Sequence, residues 1–211
     1  MTKSQQKEYD ELSDRLRELE SEDYLKKLGL SKIENDPDTN VEIASTINDV
    51  DMPKPTMYYD NDMQMYVMTG YWNWNKTYPD STVGGTDGFA LGVAQEQISV
   101  FEHGLRTSKK DGTSSTPSVQ SPYVNGYGIG FEFQDSGLGL NYNCYKGTGW
   151  VYFRFYNGTP VGKTINFNSK YGHSWSSTEV TGFSIGPTDL GISWNYSTNK
   201  FEDSNYGTKT F

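Results

Sequence analysis

The stretch from Gly126 to Tyr156 constrains the fold more than any other part of this chain. Tyr127, Ile129, Phe131 and Phe133 alternate with Gly126, Gly128, Gly130 and Glu132. After a turn at Gln134-Asp135-Ser136-Gly137, Leu138, Leu140, Tyr142 and Cys144 alternate with Gly139, Asn141, Asn143 and Tyr145. A second turn at Lys146-Gly147-Thr148-Gly149 leads to Val151, Phe153 and Phe155, interleaved with Trp150, Tyr152, Arg154 and Tyr156. A period of two marks strands with one buried face. Closing the second loop over four residues opposes Cys144 to Val151, Tyr142 to Phe153 and Leu140 to Phe155. With no polar mismatch in that register, the pattern predicts a three-stranded antiparallel meander.

Strand signals continue on both sides of it. Met57-Tyr58-Tyr59, the turn triplet Asp60-Asn61-Asp62 and the run Met63 to Trp74 read as a hairpin. Trp72 and Trp74 share a side with Tyr66 and Met68, while Met65, Val67 and Tyr71 occupy the other, as expected of an inner strand. Phe89-Ala90-Leu91, Ile98 to Phe101, Ile165 and Phe167, Phe183 and Ile185, and Leu190, Ile192 and Trp194 supply further short strands. Residues 106–121 read as a long polar loop. Aromatic residues make up 15% of the chain within a hydrophobic share of only 34%, so rings and β-branched side chains must fill the core. The expected fold is all-β, an antiparallel two-sheet β-sandwich of jelly-roll type, carrying an N-terminal amphipathic α-helical segment.

Charge divides the chain into three expected parts. Residues 1–30 hold 6 basic and 8 acidic side chains, and residues 31–62 hold 2 and 8, which leaves 10 and 11 for the remainder. Residues 31–62, the connector and the start of the β domain, therefore carry -6 of the net charge of -9. Residues 31–55 read as a solvated acidic linker between a helical segment, 1–30, and a β domain, 56–211. The linker lacks the spacing of a calcium loop. In the first part, Tyr9, Leu12, Leu16 and Leu19 fall on one helix face, and Ser21 and Gly29 bracket a second short helix with Tyr24, Leu25 and Leu28. Residues 9–28 read as a helix packed on the main domain or a leader, with a contact for a protein partner as the alternative.

Several function classes are disfavoured. There is no basic stripe for nucleic acid and no apolar run long enough for a membrane span. One cysteine and two histidines leave no intrachain disulfide, no multi-cysteine or poly-histidine metal site, and no cofactor motif. Cys144 reads as a buried, unreactive thiol, and His173 as a structural hydrogen-bonding group. Glu132 and Asp135 do not share the alternate spacing of a glycosidase pair. The expectation is a protein without catalytic residues.

The register of the meander gathers Tyr145, Trp150, Tyr152, Arg154, Asn141 and Asn143 on the face opposite the core, beside a side-chain-free floor of Gly126, Gly128 and Gly130. Flat rings stack on the C–H faces of sugars, and amide and guanidinium groups bind hydroxyls. Those six residues are the candidate ligand-binding set, for a polysaccharide or a cell-envelope glycan. A buried structural face is the competing reading.

Thr69-Gly70-Tyr71-Trp72-Asn73-Trp74 and Tyr171-Gly172-His173-Ser174-Trp175-Ser176-Ser177-Thr178 resemble segments of small secreted, uncharacterised β-sandwich proteins of Bacillus and related Gram-positive bacteria. The resemblance runs from about residue 57 to the C-terminus. It implies export and a sandwich fold, and it carries over no catalytic residue. No apolar leader follows Met1, so a cytoplasmic location stays open beside the extracellular one.

Overall fold

The structure, a computed structural model, describes residues 28–37, 49–75, 85–115, 117–119, 122–137 and 141–211. These residues form β1 (Leu30–Ile33), β2 (Val50–Asp51), β3 (Thr56–Asp60), β4 (Met65–Trp74), β5 (Thr86–Val93), β6 (Ile98–Ser108), β7 (Ser114–Ser115) and β8 (Ser118–Val119). They continue with β9 (Tyr123–Asn125), β10 (Gly128–Gln134), β11 (Lys146–Phe155), β12 (Thr164–Ser174), β13 (Val180–Ile185), β14 (Leu190–Trp194) and β15 (Lys200–Thr210). A larger sheet runs β1-β3-β4-β11-β6-β7, with β2 also on β4. A smaller sheet runs β15-β12-β5-β10-β8, with β9 also on β10, and β13 and β14 form a separate ribbon.

Local sequence explains the hairpin that starts the larger sheet. Asp60 Oδ1 accepts hydrogen bonds from the Asp62 and Met63 amides at 3.0 and 2.8 Å, an Asx turn that reverses the chain. It sets β3 against β4, with Met57 opposite Met68. The inward positions of both sheets then meet. Met68, Trp72 and Trp74 from β4 and Val151, Phe153 and Phe155 from β11 pack on Phe89, Leu91 and Val93 from β5, Ile129, Phe131 and Phe133 from β10, and Phe167 and Tyr171 from β12. Trp72 is fully buried, parallel to Tyr171 at 4.7 Å, and donates its indole N–H to the Cys144 carbonyl. The all-β expectation holds, and two antiparallel sheets pack through a ring-rich core.

The other side of the smaller sheet is glycine. A Cβ at Gly130 would meet the Phe183 ring at 2.4 Å, one at Gly88 would meet Ile192 at 3.1 Å, and one at Gly172 would meet Trp194 at 2.5 Å. The β13–β14 ribbon therefore lies directly on backbone, which only side-chain-free positions permit. Of the glycine floor expected to receive a flat ligand, Gly130 is covered by this ribbon, Gly128 lies against the Leu91 and Gly92 backbone, and Gly126 has nothing within 4 Å of a Cβ.

The meander requires correction. β10 pairs with β5, β8 and β9, whereas β11 pairs with β4 and β6 in the opposite sheet. Residues 141–145 are not a strand but the end of a connection between sheets. Asn143 closes it locally: its amide donates to the Ser136 carbonyl, and its Oδ1 accepts from the Ser136 amide. The carbonyls of Cys144 and Tyr145 accept from the Trp72 indole and the Trp74 amide. Alternation placed Ile129, Phe131, Phe133, Val151, Phe153 and Phe155 inward, as found, but it turned the buried Tyr145 outward and did not identify the strand that each segment faces.

The presumed linker also departs from expectation at both ends. Its first residues lie in β1, paired with β3, and Asp36 Oδ2 accepts from the amide and hydroxyl of Thr210, each at 2.7 Å. Toward its end Val50 and Met52 are buried in the core. A sheet edge supplies hydrogen-bond partners that composition does not reveal. Residues 38–48 lie outside the described part, as do residues 1–27 and with them the expected helix. In the expected polar loop, Arg106–Ser108 complete β6, and Ser114–Ser115 pair back on it as β7. Among the described residues, no helix is long and apolar enough to cross a membrane.

Candidate functional site

Two places in the fold gather chemically able side chains. The first is the outer side of the larger sheet. Trp150, Tyr152 and Arg154 occupy alternate outward positions of β11, while Val151, Phe153 and Phe155 point into the core. Trp150 lies over Gly104 of β6, where a Cβ would come within 2.1 Å of the ring. Tyr152 packs with Leu30, Tyr58 and Val67. Between Tyr152 and Phe153 the register slips, because Tyr152 faces Glu102 but Phe153 faces Val100. The extra residue is Phe101, and this β-bulge turns its ring outward, leaving it 54% exposed. The Arg154 guanidinium sits 5.2 Å above that ring and donates to the Met63 and Gln64 carbonyls at 3.1 and 3.2 Å.

The rest of the expected set does not join this face. Tyr145 is 4% exposed and belongs to the core. Asn143 is committed to closing the inter-sheet connection, and its carbonyl accepts from the Ser115 hydroxyl. Asn141 is exposed, but on that connection rather than on β11. These three were assigned to the face by a hairpin that does not form.

The second place is internal. Asp87, Asp135 and His173 are each no more than 1% exposed, and one ligand atom of each lies within 4.8 Å of the others. Topology explains the convergence. Phe133 faces Asp87, and Phe89 faces both Phe131 and Tyr171. Asp87 is one inward step beyond Phe89, Asp135 one beyond Phe133, and His173 one beyond Tyr171. The three form a polar rung on a ladder of rings. His173 Nδ1 is 3.0 and 3.1 Å from the two Asp87 oxygens and 3.7 Å from Asp135 Oδ2. Asp87 also accepts from the Tyr171 hydroxyl and the Ser174 amide, both at 3.0 Å, and the Tyr142 hydroxyl lies 3.4 Å away. Trp74 closes the site edge-on, 5.2 Å from the imidazole.

Electrostatics in this rung favour bound protons. Burial, with the Asp87 charge added, pushes the Asp135 carboxyl from its ordinary 3.8 up to about 7. Burial alone would lower His173, but the Asp87 carboxylate outweighs it and raises the imidazole above its usual value. Asp135 Oδ2 is buried with no hydrogen-bond partner. Burial also lifts the phenols of Tyr142 and Tyr171 well above their ordinary range.

The sequence reading missed this cluster because each member is unremarkable alone. The available signal was phase: each polar residue continues the inward alternation of its strand by one step. Cys144 is fully buried, and burial raises its thiol well above the ordinary value, as expected of an unreactive core cysteine. Glu132 alternates to the ribbon side of the smaller sheet while Asp135 is internal, so the two do not form a carboxylate pair.

No family model matches this chain, and no curated protein matches it. Among solved structures, it is similar to one described under the pH-induced modulation of Streptococcus parasanguinis adhesion by Fap1 fimbriae. That similarity has 11% identity and a TM-score of 0.34, and covers 74% of this chain and 79% of the other. It is also similar to AvmM, described as catalysing macrocyclization in alchivemycin A biosynthesis, with 10% identity, a TM-score of 0.25 and coverage of 67% and 79%.

Proposed function

We propose that the chain is an exported, non-enzymatic binding protein that holds a polysaccharide or cell-envelope glycan on the outer side of its larger sheet. The observation that carries this reading is the bulge at Phe101. It turns an aromatic ring into solvent on the face that also bears Trp150, Tyr152 and Arg154. Bulges re-aim side chains, and an exposed ring is otherwise an unfavourable placement for a large apolar group. The Arg154 guanidinium is held over the ring by two backbone carbonyls. Its position is therefore set before a ligand arrives, which reduces the ordering cost of binding.

Phe101 and Trp150 supply stacking surfaces, and Arg154 and Glu102 supply polar groups at the edge of the face. The binding set is thus Trp150, Tyr152 and Arg154 of the sequence reading, with Phe101 and Glu102 added. Asn141, Asn143 and Tyr145 are left out. Retention on a panel of immobilised polysaccharides tests it. Wild type is expected to be retained by at least one, and Phe101→Ala or Trp150→Ala to bind at least ~10-fold more weakly. No retention on any polysaccharide, or variants bound as tightly as wild type, refutes the assignment. Phe101 is exposed enough that its truncation leaves the core untouched.

A further inference from the structure

We infer that Asp87, Asp135 and His173 form a binding site for a single divalent cation of the zinc class, enclosed at one end of the sandwich. Three observations lead there. The first is the donor set, one imidazole nitrogen and two carboxylates, each group no more than 1% exposed. Nitrogen and oxygen donors together suit zinc and its first-row neighbours, whereas calcium and magnesium favour oxygen alone.

The second is spacing. Nδ1 lies 3.0 Å from Asp87 Oδ1 and 3.7 Å from Asp135 Oδ2, and no pair among the three donors exceeds 4.8 Å. Donors placed at ~2.0–2.1 Å around a tetrahedral ion stand ~3.4 Å apart. The two imidazole–carboxylate spacings bracket that value, and the Asp87–Asp135 pair, within 4.8 Å, has to close toward it for both to reach one ion with the imidazole.

The third is Asp135 Oδ2. It is buried, has no hydrogen-bond partner and points toward the imidazole. A buried carboxylate oxygen without a partner is rare in a folded interior. Two carboxylates and a neutral imidazole bring a charge of -2, which a divalent ion neutralises.

The groups around the donors are arranged as supports of a ligand set. The Tyr171 hydroxyl and the Ser174 amide donate to Asp87 and fix its plane, with both of its oxygens turned to the imidazole. The Tyr142 hydroxyl lies 3.5 Å from Nδ1. Asp135 begins the connection between the sheets, and its neighbours Ser136 and Gly137 are exposed, so the site lies close to the surface in sequence. The ion takes the place of the proton on Nδ1. Binding releases that proton, and the one that the Asp135 carboxyl holds, and weakens as pH falls.

The test uses the full chain, stripped with EDTA and equilibrated with a slight excess of zinc chloride. After gel filtration, elemental analysis is expected to find one zinc ion per chain, and calcium in excess should not displace it. Asp135→Asn should bind at least ~10-fold more weakly, with the near-ultraviolet circular dichroism of wild type as the check on its fold. Absence of zinc in wild type overturns the site, and so does equal retention by Asp135→Asn, which places the ion elsewhere. X-ray absorption on the wild-type zinc form decides without any variant. One imidazole with carboxylate oxygens at ~2.0–2.1 Å is expected; a sulfur neighbour from Cys144, or a shell without imidazole, overturns it.

Discussion

At the scale of single residues, the polar rung governs how stability responds to pH. Asp135 and His173 both hold protons more tightly folded than unfolded. For Asp135 the penalty of ionisation sets in above 3.8 and is complete above about 7. The His173 contribution is full below 6.5 and is lost as pH rises through its higher folded value. The signs agree, so metal-free protein becomes less stable as pH rises from about 4 to 8. A shift from 3.8 to about 7 corresponds to roughly 4 kcal/mol for Asp135. Urea midpoints measured with EDTA across this range should fall for wild type and fall less steeply for Asp135→Asn, in which only the His173 contribution remains. A wild-type midpoint that rises over that interval contradicts the electrostatics.

Cys144 offers a second residue-scale test. Its thiol should resist a disulfide reagent in the folded chain and react at once in denaturant. Rapid modification under native conditions would show that the connection carrying it opens easily. This burial was legible in the sequence, because the inward phase of Tyr142 and Cys144 matched an apolar face. The polar rung was equally in phase. It went unread because a charged residue at an inward position resembles a turn when no neighbouring strand is known.

At the scale of elements, β11 was read correctly in one respect and not in another. Which of its side chains face inward followed from alternation. Which strands flank it did not, since Gly139, Asn141 and Asn143 suit a hairpin strand as well as an inter-sheet connection. β15 was not foreseen at all: KFEDSNYGTKT has no apolar alternation, yet it pairs with β12 along its whole length. Backbone hydrogen bonds to an existing strand hold it, and such bonds leave no mark on composition.

Glycines in the larger sheet give a test of β11 itself. A Cβ at Gly147 would meet the Trp72 ring at 1.9 Å, in the middle of the core. Gly147→Ala should destabilise by at least ~2 kcal/mol, through displacement of a fully buried indole. Gly126, with nothing within 4 Å of a Cβ, is the control, and Gly126→Ala should stay within ~0.5 kcal/mol of wild type. Equal effects at the two positions, read from thermal or denaturant unfolding, would show that β11 does not pack on β4 as described. Gly104→Ala belongs to the same set with a different readout, since its methyl displaces Trp150 rather than Trp72. It should weaken glycan retention more than it lowers stability.

For the whole molecule, the two sheets divide the aromatic residues into an interior set and a smaller outward one. The interior set stacks around Trp72 and ends at the polar rung. The outward set gathers on β11 and β6, where the bulge at Phe101 sits beside Arg154. The smaller sheet has no comparable open face over Gly88, Gly130 and Gly172, because the β13–β14 ribbon covers them. A sandwich built this way packs its inner rings closely and carries the proposed binding face on the outer side of its larger sheet. The sequence carried the division of the aromatic residues, but the bulge that exposes Phe101 depends on the β6–β11 register, which only the assembled sheet determines.

The chain has five tryptophans, whose indole N–H groups give separate signals in a nitrogen-15 correlation spectrum. The Trp72 group is bonded inside the core, and that of Trp194 donates to Glu202 at 2.7 Å beneath the ribbon. Trp150 alone of the five stands on the outward face of β11. Titrating the protein with the polysaccharide that retains it best, and following those signals, tests the binding face most directly. The Trp150 signal should shift progressively to saturation while those of Trp72 and Trp194 stay in place. Saturable binding with Trp150 unmoved and Trp194 shifted would put the ligand on the ribbon side and contradict the account.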